Sequence, residues 1–167
     1  NLDSDDISAG FRTNYNSRNL NFKVGALYIG DNFNSDLGYI KRKSIYKIDP
    51  RVGYIFWPEN KKILNYEFEI APFITWASDF NSLLSDYFIF TKWDVNFKSG
   101  INFNISLRNQ YTYLFDEFDP TGINNGNSLP ANSDYYYNNY EIEFNNYFSS
   151  SKFTYRVEQN FGEFYNG

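Results

Sequence analysis

Residues 64–76 alternate in character. Leu64, Tyr66, Phe68, Ile70, Pro72, Ile74 and Trp76 are apolar, and Asn65, Glu67 and Glu69 stand between the first of them. A period of two separates such residues onto the two faces of a strand. The run is about twice as long as an average strand. At ~3.3 Å per residue it reaches roughly 40 Å, or about 30 Å when tilted, enough to cross a bilayer core.

The same alternation recurs along the chain. Phe11, Thr13 and Tyr15 mark a weak first strand, and Leu20, Phe22, Val24, Ala26 and Tyr28 a second. A third carries Tyr46, Ile48, Pro50, Val52, Tyr54 and Phe56 on one side, and 64–76 is the fourth. The apolar phase then moves to odd positions, Ile89, Thr91, Trp93, Val95 and Phe97, and stays there in Ile101, Phe103, Ile105, Leu107, Tyr111 and Tyr113. Two further strands show Tyr136, Tyr140, Ile142, Phe144 and Phe148, then Phe153, Tyr155, Val157 and Phe161. For odd to meet odd across the turn at 98–100, the loop must hold an odd number of residues. Lys98-Ser99-Gly100 fits a three-residue hairpin with glycine in the left-handed position.

The connections are expected to alternate between short turns and longer polar loops, the latter at 30–43, 78–86 and 116–134. An up-and-down meander through a membrane produces that rhythm, with short turns at the periplasmic rim. A Greek-key sandwich has no reason to. The predicted fold is therefore all-β: a transmembrane antiparallel β-barrel of about eight visible strands, part of a larger barrel, with 1–167 forming one domain or barrel fragment. Pro72 resists this scheme, because a mid-strand proline removes a ladder donor. It predicts either a bulge or a slip of register.

Composition narrows the function. Aromatics make up 22% of the chain, yet the mean hydropathy is −0.58, as expected when each strand alternates apolar with polar residues. The net charge of −5 argues against nucleic acid as a partner. Cys, His and Met are absent, which excludes disulfides, a Ser-His triad and His- or Cys-held zinc. No cofactor or metal is expected. A start at Asn1 without Met, and an end at Tyr165-Asn166-Gly167 without a terminal aromatic, suggest a processed or partial chain.

The charged candidates fall on the face opposite the apolar one: Glu67, Glu69, Lys92, Asp94, Arg108, Glu141, Glu143, Arg156 and Glu158. They are expected to line a wet lumen, pairing across strands. Carboxylates two apart, Glu67/Glu69 and Glu141/Glu143, leave open a barrel-embedded hydrolase. The aromatics Phe56, Trp57, Trp76, Tyr136, Tyr140, Phe148 and Phe153 are expected near strand ends, as girdles at the membrane interfaces; sugar stacking is the alternative use.

The run Asp31-Asn32-Phe33-Asn34-Ser35-Asp36-Leu37-Gly38-Tyr39-Ile40-Lys41-Arg42, followed by Tyr46 and Lys47, resembles a segment of a known family. It is similar to the C-terminal barrel domain of uncharacterised Bacteroidota outer-membrane proteins. The resemblance rests on Asn32, Phe33, Asn34, Asp36, Gly38, Tyr39 and Arg42; the other strands match in style only. It implies a barrel larger than eight strands, in the bacterial outer membrane, following a domain like family-nine carbohydrate-binding modules. That domain is not in this chain, and the family supplies no catalytic residues to carry over.

The function expected is thus a pore, transport channel or membrane anchor in the outer membrane, not an enzyme. Its partners are the lipid bilayer and other outer-membrane or periplasmic proteins of a larger assembly, with glycan handling supplied by a neighbouring domain. The alternative is a soluble, aromatic-rich, glycan-binding β-sandwich.

Overall fold

The structure is a computed structural model describing residues 6–34, 43–77, 83–120, 122, 128–147, 150 and 152–165. The alternating segments become β1 (Ser8–Asn16), β2 (Leu20–Ile29), β3 (Ile45–Ile48), β4 (Arg51–Phe56), β5 (Ile63–Ala77), β6 (Leu84–Phe97), β7 (Asn102–Leu114), β8 (Ser133–Asn145) and β9 (Arg156–Gly162). They form one nine-stranded antiparallel sheet in the order β1-β2-β3-β5-β6-β7-β8-β9, with β4 also lying between β2 and β5. No helix among the described residues is long and apolar enough to cross a membrane.

Nine strands replace the expected eight because one is interrupted. β3 and β4 share a register with both neighbours: Ala26↔Ile48 continues as Lys23↔Arg51, and Ile48↔Ile74 as Val52↔Ile70. They are one strand broken at Asp49-Pro50. The same register brings Pro50 opposite Pro72. The Asp49 N–H donates to the Gly25 carbonyl at 2.9 Å, so the next residue, Pro50, turns its nitrogen toward β5. Pro72 correspondingly faces β4. The two missing donors therefore share one rung, and the β5–β6 ladder runs through Pro72↔Ile89 intact. The bulge or slip expected at Pro72 is absent there. Register shifts fall instead at Ile63/Asn65 and Thr75/Trp76. At the second, Ser85 is the inserted residue; it is fully buried, and its hydroxyl donates to the Thr75 carbonyl at 3.1 Å.

The 98–100 turn follows the parity argument. Gly100 has φ 82°, the Phe97 N–H donates to Ile101 O at 2.8 Å, and Trp93 meets Ile105. The alternation of short and long connections is weaker than expected, since 57–62 and 78–83 are equally long. β9 begins later than expected, at Arg156. Asn146 occupies the missing rungs: its amide donates to Phe153 O at 2.8 Å and its carbonyl accepts from Tyr155 N–H at 2.7 Å.

The distribution of burial is inverted relative to a water-soluble sheet. Phe68, Trp93, Ile105, Tyr140 and Ile142 are exposed on one face. Asp94, Asn102, Asn104, Ser106, Glu143 and Asn145 are buried on the other. Among the described residues no second sheet covers the apolar face. β1 and β9, the ends of the sheet, are exposed throughout.

Candidate functional site: a layered polar face

Because β5 to β9 pair without slippage through their centres, the side chains of the polar face line up in transverse rows. The row nearest the 98–100 turn is Asn65, Asn96, Asn102, Asn145 and Arg156. The next is Glu67, Asp94, Asn104, Glu143 and Glu158. Above it stand Glu69, Lys92, Ser106, Glu141 and Asn160. Phe90, Arg108 and Asn139 follow, with Arg51 reaching in from β4. These rows line a depression of about 590 Å³.

The amide row is knitted across strands. Asn96 donates to Asn65 Oδ1 at 2.8 Å, Asn102 donates to Asn96 Oδ1 at 2.9 Å, and Asn145 donates to Asn102 Oδ1 at 3.3 Å. Asparagine carries both donor and acceptor, so it can continue such a chain where a charged residue could not.

The acid row places like charges opposite one another, which is unfavourable on a sheet. Cations from the flanking rows offset this. Lys92 Nζ lies 3.0 Å from Asp94, and Arg156 bridges Glu143 and Glu158 at 2.7 Å each. Arg51 pairs with Glu69 at 3.5 Å. Among the described residues one buried acceptor is left over: Asn104, only 4% exposed, has a buried Oδ1 with no hydrogen-bond partner among them. Carboxylate oxygens of Glu141, Glu143 and Glu158 come within 4.8 Å of one another.

A second polar feature crosses β2. Arg12 reaches over Gly25 to Asp49, with a 3.1 Å ion pair. A Cβ at Gly25 would collide with the Asp49 carboxylate, so this crossing needs glycine.

Aromatic rows bound the opposite, apolar face. Toward the longer loops, Tyr28 stacks on Tyr46 at 5.0 Å and Tyr46 is in register with Trp76. Tyr87, Tyr111 and Tyr136 continue at 5.5 and 4.7 Å. Toward the other end, Phe56 stacks on Tyr66 at 6.4 Å and Phe144 on Tyr155 at 5.9 Å. Trp57 donates its indole N–H to Arg18 O at 3.1 Å, under the Arg18 guanidinium. Between these rows one polar pair interrupts the apolar surface: Asn109 donates to Asn138 Oδ1 at 2.9 Å.

Comparison with known protein families, curated proteins and solved structures finds no match.

The structure gathers Glu67, Glu69, Lys92, Asp94, Arg108, Glu141 and Glu143 around one depression, with Arg156 and Glu158 on its β9 rim. Sequence reasoning missed Arg51, Asn102, Asn104 and Asn145 as parts of one network; alternation marked their face, but only register assembles the rows. Among the aromatics, Phe56, Trp57, Trp76 and Tyr136 lie at or near strand ends. Two expectations need correction. Tyr140 sits at mid-strand, opposite Leu107 and Phe161. Phe153 lies in the connection before β9 and is 81% exposed. Phe148 falls outside the described residues, as do Asp36, Gly38, Tyr39 and Arg42 of the family-like run; Asn32, Phe33 and Asn34 precede them in the connection after β2.

Proposed function

We propose that this chain is a section of the wall of an outer-membrane β-barrel, with its aromatic face toward lipid and its layered polar face toward an aqueous interior, serving as a pore. The observation that carries this reading is the inversion of burial: exposed Phe68, Trp93, Ile105 and Ile142 on one face, buried Asp94, Asn104 and Glu143 on the other. In water, such a face would be an aggregation hazard; in a bilayer it is the favoured arrangement. The spacing of the aromatic rows agrees. Tyr111 to Phe103 and Trp76 to Tyr66 correspond to roughly 20–25 Å along the membrane normal at a ~40° tilt, close to the height of an apolar barrel band. The likeness of residues 31–47 to Bacteroidota barrels points the same way, and membership of that family, with a carbohydrate-binding neighbour, is part of the proposal.

This stretch of chain holds no cysteine, which allows a direct test. Single cysteines replace Phe68, Trp93 and Ile142, or Glu67, Ser106 and Glu141, in the protein in its native membrane. A water-soluble maleimide is expected to label the second set, and a bilayer-embedded quencher to reach probes on the first. Equal access of the water-soluble reagent to both sets would defeat the proposal.

A further inference from the structure

The polar face holds more oxygen acceptors than its own cations engage. On the depression and its rim, six carboxylates stand with four basic groups. The ion pairs engage Glu69, Asp94, Glu143 and Glu158, leaving Glu67 and Glu141 without an ion-pair partner among the described residues. These two lie on strands β5 and β8, three strand spacings apart, or about 14 Å. Between them stands Asn104, flanked in register by Asp94 and Glu143, its carbonyl oxygen buried and unpartnered. A buried acceptor with no protein donor takes a water or a cation, and the carboxylates on either side of Asn104 favour the cation.

We propose that this depression is a cation station. The carboxylates of Glu67 and Glu141 and the Asn104 carbonyl attract and briefly hold hydrated inorganic cations, giving the interior a preference for cations over anions. The separation of the two free carboxylates suits hydrated, mobile ions better than a dehydrated metal, which would need its ligands at 2.0–2.6 Å. Rows of carboxylates are a known means of cation selection. Arg51 and Arg108, above the acid rows, keep the site from becoming a sink by limiting its net negative charge. The inference rests on the reading of this face as the lining of a water-filled interior.

The test uses the protein as the cell makes it, reconstituted in a planar bilayer under a KCl gradient. The reversal potential is expected to show K⁺ favoured over Cl⁻. Glu67→Gln/Glu141→Gln should lower the permeability ratio, by roughly sevenfold for each carboxylate removed, since a unit charge ~7 Å away in water favours a passing cation and disfavours a passing anion by about threefold each. Asn104→Leu should lower it without changing net charge. Anion preference, or a ratio unmoved by the double variant, would overturn the inference. Sodium association with the detergent-solubilised protein, read by broadening of the ²³Na resonance, distinguishes failure of the station from failure of the pore. Broadening lost in the double variant but no conductance would support the station and defeat the pore. Neither conductance nor broadening would defeat both. Native heat-modifiable mobility in each variant shows that it has folded.

Discussion

Asn109 and Asn138 sit where a lipid-facing surface would be expected to carry only apolar groups. Their amides meet at 2.9 Å, so each partly satisfies the other and neither carries charge. In a bilayer, removing one partner leaves the other amide without a hydrogen bond, at a cost of about 1–3 kcal/mol. Removing both takes away the need. Asn109→Leu alone should therefore lower the thermal midpoint of the folded, gel-resolved form more than Asn109→Leu/Asn138→Leu does. If water bathes this face, the single variant should be nearly neutral, and that outcome would count against the membrane reading. The pair was not legible in the sequence. Asn109 and Asn138 are far apart along the chain and look like lapses in the alternation until the β7–β8 register joins them.

At the scale of elements, hairpin parity was readable because it depends on neighbours in sequence: a three-residue loop with Gly100 settles which side chains meet. The prolines were not, because the consequence of a missing N–H depends on which strand it faces. Pro72 points at Pro50, so the loss is confined to one rung. Pro72→Ala is expected to change stability by no more than about 1 kcal/mol: a regained hydrogen bond worth ~1 kcal/mol is offset by a more flexible unfolded chain. Ala71→Pro is expected to be far more damaging, since Ala71 is buried and its N–H turns toward Phe90 on β6. The yield of heat-modifiable protein measures both. Equal damage from the two substitutions would show that the back-to-back placement is wrong.

At the scale of the whole molecule, the sheet has two ends. β1 and β9 are exposed along their lengths and do not pair with each other among the described residues. Unpaired strand edges are not tolerated in the hydrocarbon region, so a membrane wall requires partners for both. We expect further strands to supply them, as in a larger barrel. Cysteine pairs joining Phe11, Thr13 or Tyr15 to Val157, Gln159 or Phe161 are then expected not to form disulfides in the native membrane. Efficient cross-linking would instead indicate that this sheet closes on itself.

The sequence by itself determined the all-β class, the two-faced strands and the side of the sheet on which each charge falls. Those follow from a period of two, which is local and survives any register. The tertiary structure alone decided that Glu67, Asp94, Asn104, Glu143 and Glu158 form one row, that Asn146 closes the last hairpin, and that two prolines share a rung. Each of these depends on which residue of one strand lies opposite which residue of the next. That choice is made by loop geometry and bulges, such as the one at Ser85, and alternation is blind to any shift of two residues.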